Sequence, residues 1–240
     1  MTGPWRSVAV SDVGRVRKHN EDSFLDRPDI GLWAVADGMG GMTAGDVASR
    51  AIVTSLDAIE DAPDAASLLK QVRSRVASVN AELRALAAAR GPTTTIGSTL
   101  VALILHAGHF ACLWAGDSRI YRLRAGELDR LTRDHSLVQD MVDAGLLRPE
   151  DAESHPHASV IQRAVGVDDE VALDCVHAKF EPGDIFLLCS DGLTRMVSDQ
   201  ELEDGLAREP IGQASATLLD MVLTRGAKDN VTIVLVECLG

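Results

Sequence analysis

Four aspartates in this sequence stand where an apolar run meets a turn. They are Asp37, Asp117, Asp191 and Asp229. The run Leu32–Ala36 is short enough to be a strand buried on both faces, and the glycines after Asp37 allow a tight turn with an open backbone. Carboxylates held beside backbone carbonyls suit a hard divalent cation. Each turn alone is ordinary, but together the four predict that their strands lie side by side and bring the acids to one site.

A charged segment near the start of the chain lies between two apolar ones. It carries Arg17, Glu21 and Asp22, and Arg17 is four residues before Glu21, close enough for both to lie over one site. One interpretation is a surface loop with a solvated ion pair, worth under about 1 kcal/mol. The other is that Arg17 offers a planar fork to a phosphate while the two acids add negative charge around a cation.

Composition and charge exclude several kinds of partner. The 240 residues carry a formal net charge of −13, and no cluster of lysine and arginine stands out. Nucleic acids and anionic membrane surfaces require a basic patch, so we expect no nucleic-acid binding. We also expect no membrane insertion, because no apolar stretch reaches the roughly 18 residues needed to cross a bilayer. Four widely spaced cysteines without C-x-x-C pairing predict reduced core residues of a cytoplasmic protein.

The order of predicted elements indicates one domain spanning residues 1–240. Helices over 43–60 and 64–90 precede several strands whose short connections imply antiparallel hairpins. Strands are predicted at 7–10, 32–36, 98–105, 109–115, 119–123, 128–132, 171–176, 184–190 and 231–236. Two later helices begin at a capping box at Ser198 and at Pro210. This order predicts an α+β fold, a four-layer α/β/β/α sandwich with two central antiparallel sheets.

Residues 134–166 interrupt this pattern. They contain three histidines, two prolines and no strand-like run. We predict that they form a flap, a small subdomain inserted beside the sheets, with a short helix over 136–144. The spacing of the histidines matches neither H-E-x-x-H nor H-x-x-x-H, so loop polarity and capping explain them better than a metal site.

Seven motifs occur in order over nearly the whole chain. They are Gly14-x-x-Arg17-x-x-Asn20-Glu21-Asp22, Val35-Ala-Asp37-Gly38-Met-Gly-Gly41, Gly97-Ser-Thr99, Gly116-Asp117-Ser118-Arg119, Leu131-Thr-Arg-Asp-His135-Ser136, Cys189-Ser-Asp191-Gly192-Leu193 and Lys228-Asp229-Asn230-Val-Thr232. With these motifs the chain resembles the metal-dependent serine/threonine protein phosphatases of the PPM family (type 2C), most closely the bacterial single-domain members. Each motif alone is weak, but seven in order with compatible spacing form a strong signal.

The resemblance implies a site for two Mn²⁺ or Mg²⁺ ions at one end of the sheets. By matching motif, Asp37 would bridge both ions and the carbonyl of Gly38 would complete one of them. Asp191 and Asp229 would hold the other ion, and Arg17 would bind the substrate phosphate. Three further residues would act through coordinated water or behind the ligands: Glu21, Asp22 and Asn230.

The resemblance also implies a third, weaker ion and leaves the general acid open. Asp117 matches the aspartate that forms this third site with Asp191 in bacterial relatives, and Ser159 of the flap is assigned to the same site. Animal members carry a histidine where this chain has Met39, and a thioether cannot donate a proton. Protonation of the leaving group must therefore come from water or another group, and His19 is near in sequence.

The implied activity is hydrolysis of phosphoserine and phosphothreonine in proteins by a metal-bridging hydroxide, in opposition to a Ser/Thr kinase. Two cations would neutralise the repulsion between phosphate and hydroxide and would acidify the bridging water. Two alternatives remain open: a non-catalytic pseudophosphatase that binds phosphoproteins or a regulatory partner, and a phosphatase of small molecules. We expect the protein to be a monomer.

Overall fold

A computed structural model describes residues 4–40, 44–60 and 62–239. The strands are β1 (Trp5–Asp12), β2 (Asp22–Arg27), β3 (Leu32–Met39), β4 (Gly97–Ser98), β5 (Leu100–His106), β6 (His109–Ala115), β7 (Arg119–Arg124), β8 (Glu127–Arg130), β9 (Asp174–Lys179), β10 (Ile185–Cys189) and β11 (Val231–Cys238). The helices are α1 (Gly45–Asp57), α2 (Ala65–Arg90), α3 (Leu137–Asp143), α4 (Asp191–Thr194), α5 (Asp199–Arg208) and α6 (Ile211–Thr224). A 3-10 turn covers Pro149–Asp151.

The strands form two antiparallel sheets. In the first, here called the β11 sheet, the strand order is β1-β11-β10-β7-β8. In the second, the β3 sheet, the order is β2-β3-β5-β6-β9, and β4 pairs with the end of β3. An apolar layer fills the space between the sheets, so each sheet has one face turned toward the other.

Alternation along β3 shows why the fold has four layers. Leu32 and Ala34 pack with α1 and α2, whereas Trp33 and Val35 pack in the layer between the sheets. Successive side chains of a strand point to opposite faces, so an apolar strand such as this needs cover on both sides. The outer face of the β11 sheet packs against α5 and α6. The predicted α/β/β/α sandwich with two antiparallel sheets is confirmed.

Local chemistry sets the helix ends. The Asp64 carboxylate accepts the Ser67 N–H at 2.7 Å and caps α2, which ends before Gly91. The predicted capping box at the start of α5 is present, with Ser198 and Glu201 each accepting the other's backbone N–H. The predicted start of the first helix, residue 43, and Gly41 of the bridging motif lie outside the described residues.

Some predicted strands are misplaced. Residues 22–27 form β2 at the edge of the β3 sheet, where the sequence predicts no strand and places Asp22 in a charged segment, because an edge strand beside α1 buries few side chains. The strand predicted at 171–176 is β9, and the one predicted at 98–105 is interrupted at Thr99. Cys175 is exposed on β9, so the prediction of a core cysteine is wrong there, while the other three cysteines are buried free thiols.

The segment 134–166 contains α3 and the 3-10 turn. Two isolated bridges hold its ends: Ser136 pairs with Ile161, and Val165 pairs with Ser98 of β4. The second bridge attaches the segment beside the rim where β3 ends. Among the described residues, no helix combines the length and the apolar character that a membrane span requires.

Candidate active site

The predicted acids converge from two facing sheets. Asp37 lies near the end of β3 and Asp117 follows β6, both in the β3 sheet, with β5 between the two strands. Asp191 follows β10 and Asp229 precedes β11 in the other sheet. The prediction that all four strands lie side by side is therefore wrong. The acids meet because the rims of two stacked sheets coincide.

Asp22 joins this group through strand pairing. It lies directly opposite Asp37 in the β2–β3 ladder, where cross-strand side chains are neighbours. Its buried Oδ2 accepts hydrogen bonds from Ser190 Oγ at 2.8 Å and from Thr232 Oγ1 at 2.7 Å. Its Oδ1 is also buried and has no hydrogen-bond partner among the described residues. We call five residues the rim acids: Asp22, Asp37, Asp117, Asp191 and Asp229.

The rim acids repel one another. Burial raises the pKa of Asp37 well above its usual value, and Asp22, Asp191, Asp117 and Asp229 raise it further. Burial and the charges of Asp191 and Asp229 raise the pKa of Asp22 to about 7, against the two hydroxyl hydrogen bonds. Carboxylates in this state gain stability from a cation placed among them.

The backbone around Asp37 is tightly fixed. Its N–H donates to Thr99 Oγ1 at 3.0 Å, and its carbonyl accepts the Thr99 N–H at 2.9 Å and the Ser98 hydroxyl at 2.9 Å. Gly38 follows with no room for a side chain, because a Cβ there would lie 2.0 Å from the carbonyl oxygen of Gly45. Glycine is therefore required at this position by the close approach of two backbone segments.

Arg17 lies at the open side of the rim. Its Nη2 is 2.8 Å from Asp229 Oδ2, and its side chain is half-exposed. The loop carrying it is held by Asn230, which accepts the Glu21 N–H at 2.8 Å and donates to the carbonyls of Val13 and His19 at 2.9 and 3.0 Å. The Asn230 amide is thus engaged with backbone, and it positions the loop.

A cavity of about 580 Å³ extends from the rim along residues of the segment 134–166. Asp117 and Asp191 form one end, and residues of α3 and the start of α5 form the walls. Arg195 also lines it and pairs with Asp191 at 2.6 Å. The cavity therefore places an open space directly beside Asp117 and Asp191.

Ser159, assigned above to the third ion, and His19, noted above as near Arg17 in sequence, are both exposed. Ser159 is exposed on the flap, and the cavity wall at that point is formed by its neighbour Ala158. His19 is exposed, and the contact it makes with the rim region is through its backbone carbonyl. Met39 is partly buried beside Gly97, toward which its Cε points.

Several residues have a role at the site that the sequence does not predict. Ser190, Thr232 and Thr99 were within the motifs but had no assigned role, and each proves to hold Asp22 or Asp37. Arg195 was not singled out at all. Its spacing of four residues from Asp191 was the available signal, since such residues are neighbours on a helix.

The acids form no all-side-chain metal cage. In the described part of the chain, no three histidine, cysteine, aspartate or glutamate side chains are grouped as one ion's ligands. This arrangement is compatible with Mg²⁺ or Mn²⁺, which bind through one or two carboxylates and keep several waters. The donors at the rim are oxygen atoms, which suit these ions, whereas zinc sites often include nitrogen or sulfur.

Comparison with known proteins identifies the family of this chain. A family model described as Protein phosphatase 2C matches residues 15–239. The serine/threonine protein phosphatase PstP of Mycobacterium tuberculosis is 37% identical over 233 residues, which is 97% of this chain and 45% of that protein. This chain therefore spans less than half the length of that relative.

Two solved structures share the whole fold. PppA, a key regulatory component of T6SS in Pseudomonas aeruginosa, superposes with a TM-score of 0.91 and 44% identity over 98% of each chain. The catalytic domain of PstP in complex with 2 manganese ions has a TM-score of 0.86 and 34% identity, covering 98% of this chain and 99% of that one. This chain belongs to the protein phosphatase 2C family.

Proposed function

We propose that this chain is a metal-dependent protein phosphatase that hydrolyses phosphoserine and phosphothreonine and opposes a Ser/Thr kinase. The observation that carries the proposal is the convergence of the rim acids beside Arg17, with buried carboxylate oxygens that lack partners among the described residues. The names of the relatives support the same activity. The pseudophosphatase alternative is less well supported, because each acid that the family resemblance assigns to the metal ions is present in the sequence.

The rim acids fit Mn²⁺ or Mg²⁺. The site offers oxygen donors, and Asp22 and Asp117 each bury one Oδ1 without a partner among the described residues. Asp37, the Gly38 carbonyl, Asp191 and Asp229 would hold two ions, and Glu21 and Asp22 would bind through water. When bound, the ions supply Lewis-acid neutralisation of the phosphate and acidify water at the site.

The residues of the chain position the substrate. Arg17 presents two N–H groups to a phosphate, and Asp229 already orients it across the open side of the rim. The Asn230 amide holds the Arg17 loop in place through three backbone groups. The leaving serine or threonine oxygen takes its proton from water in this proposal, because Met39 has none to give.

The proposal extends to the setting of the enzyme. Residues 1–240 act as a single catalytic domain in which 134–166 is a flap over the cavity. The free cysteines fit a reducing compartment, which supports the cytoplasm as the location. The monomeric state stays a prediction.

The experiment is hydrolysis of matched phosphopeptides by the purified chain. We expect release of phosphate from phosphoserine and phosphothreonine peptides with Mn²⁺ or Mg²⁺, and none with EDTA. Restoration by added Mn²⁺ is the control for damage by the chelator. Binding of the peptides without turnover would support the pseudophosphatase, and a preference for phosphorylated metabolites would support the small-molecule alternative.

A further inference from the structure

One guanidinium lies between two of the rim acids. Arg195 Nη2 is 2.6 Å from Asp191 Oδ2 and 4.0 Å from Asp117 Oδ2. Its position is set by the chain, because α4 begins at Asp191 and Arg195 is the residue that ends this helical turn. The same nitrogen therefore faces both carboxylates that the family resemblance assigns to a third ion.

The Asp117 and Asp191 carboxylates are buried and already have a positive group beside them. Both are largely buried, with side chains 7% exposed for Asp117 and 14% for Asp191. The Arg195 guanidinium is a positive group beside both, 2.6 Å from Asp191 and 4.0 Å from Asp117. Arg195 thus already supplies positive charge to this pair.

A divalent ion between the same carboxylates would meet two obstacles. It would have to displace Arg195 from its hydrogen-bonding distance to Asp191, and it would be repelled by a positive charge that arginine keeps at any working pH. The charge of the guanidinium is permanent and tethered, whereas an ion is exchangeable. The residues here do not fit a third ion while Arg195 is in place.

We propose that Arg195 is a built-in substitute for a third divalent ion, so that this chain loads two ions and no third. The inference rests on the proposed function, because the number of ions bound is compared with the two ions of the proposed active site. Its consequence is that the Asp117–Asp191 pair stays partly neutralised at every metal concentration. When activity is measured against Mn²⁺ concentration, it then saturates without a second increase at high concentration from a third ion.

The test is the number of Mn²⁺ ions bound per chain, measured by titration with free Mn²⁺ followed by electron paramagnetic resonance. We expect two for the wild type and three for Arg195→Met, which removes the charge and keeps much of the side-chain length. Arg195→Lys keeps a positive charge and should stay at two. Adding Asp117→Asn to Arg195→Met should remove the third ion again.

A matched control comes from another arginine. Arg225 pairs with Glu201 on the exposed side of α5, so Arg225→Met removes an ion pair of the same type away from the rim and should bind two ions. Circular dichroism melts identify any variant that does not fold, and Arg195→Gln is the second neutral variant.

Three results would overturn the proposal. Three ions on the wild type would overturn it while leaving the proposed function intact. Two ions on folded Arg195→Met and folded Arg195→Gln would show that Arg195 is not what excludes the third. No Mn²⁺ bound to the wild type would overturn both this proposal and the proposed metal-dependent function.

Discussion

Buried aspartates in this protein lie in two different kinds of surroundings. At the far end of β10, Asp184 is 2% exposed and accepts hydrogen bonds from Arg124 Nε at 2.7 Å and Nη2 at 2.6 Å, and from the Glu181 N–H at 2.8 Å. At the other end of the sheets, Asp22 and Asp117 are buried to a similar degree, and each has an oxygen without a partner among the described residues.

The difference separates structural from functional acids. A buried carboxylate that is paired with an arginine has its charge balanced within the protein. Removing either partner would leave the other as a buried charge without a counter-charge. A group of buried carboxylates that repel one another keeps an unbalanced negative charge until it binds a cation from solution. The Asp184 site therefore serves the fold, while the rim acids lower the stability of the metal-free protein and create the site.

The largest expected effect comes from Asp37→Asn. We expect turnover to fall by roughly a thousandfold or more, since metal-ion stabilisation of the transition state is worth several kcal/mol. The metal-free melting temperature should stay equal or rise, because one of the repelling charges is gone. The measurements are kcat on a phosphopeptide with Mn²⁺ and calorimetry with EDTA. Full activity in this variant would remove Asp37 from the proposed site.

Asp184→Asn should show the opposite pattern. It leaves the Arg124 guanidinium without its carboxylate, and we expect a loss of about 2 kcal/mol in the free energy of unfolding. Mn²⁺ affinity and kcat per folded molecule should not change. Asp29→Asn is the control, because its exposed pair with Arg27 is worth under about 1 kcal/mol. A loss no larger than that of the control would contradict the structural role of Asp184.

The pH dependence of stability tests the same contrast. In the folded metal-free protein the pKa of Asp22 is raised to about 7, above its unfolded value of 3.8, so the folded state holds a proton that the unfolded state has lost. Stability due to this group is complete below about pH 4 and is lost as the pH rises through about 7. We therefore expect the contribution of Asp22 to the melting temperature in EDTA to fall between about pH 4 and about pH 7.

Two comparisons isolate this effect. Burial lowers the pKa of His135, which acts in the opposite direction because stability is lost as this group protonates. Asp22→Asn keeps His135 and should flatten the fall seen in the wild type. Saturating Mn²⁺ should flatten it as well, since the cations stabilise the ionised acids. An equally steep fall in Asp22→Asn would show that another group is responsible.

The smallest expected effect is that of Arg17→Ala. Arg17 is half-exposed and its pair with Asp229 can open to solvent, unlike the contact between Arg124 and buried Asp184. Losing its hydrogen bonds to phosphate should raise KM for phosphopeptides roughly tenfold with little change in kcat. Steady-state kinetics measure this, with Arg6→Ala as the control, because exposed Arg6 pairs with Glu237 near the opposite end of β1. An unchanged KM would leave Arg17 without a phosphate-binding role.

Much of the fold could be predicted from local patterns. The run 32–36 is apolar at every position, which requires cover on both faces, and the helix stripes and the Ser198 capping box follow from spacing. Strand β2 was missed because its charged residues at an edge resemble a loop. The Thr99 interruption was missed because its cause is a contact with Asp37, 62 residues away in the chain.

The sequence by itself determined which residues could form the site, because acids at strand ends and the motif order are local properties. Tertiary structure alone decided how the acids meet, since the strand order within the two stacked sheets sets which strand ends lie together at the rim, and no local pattern encodes that order. It also decided which buried aspartates have an arginine partner. Asp184 and Asp22 both lie where a strand begins, and only the packing around them gives one a bidentate arginine and leaves the other a buried oxygen without a partner among the described residues.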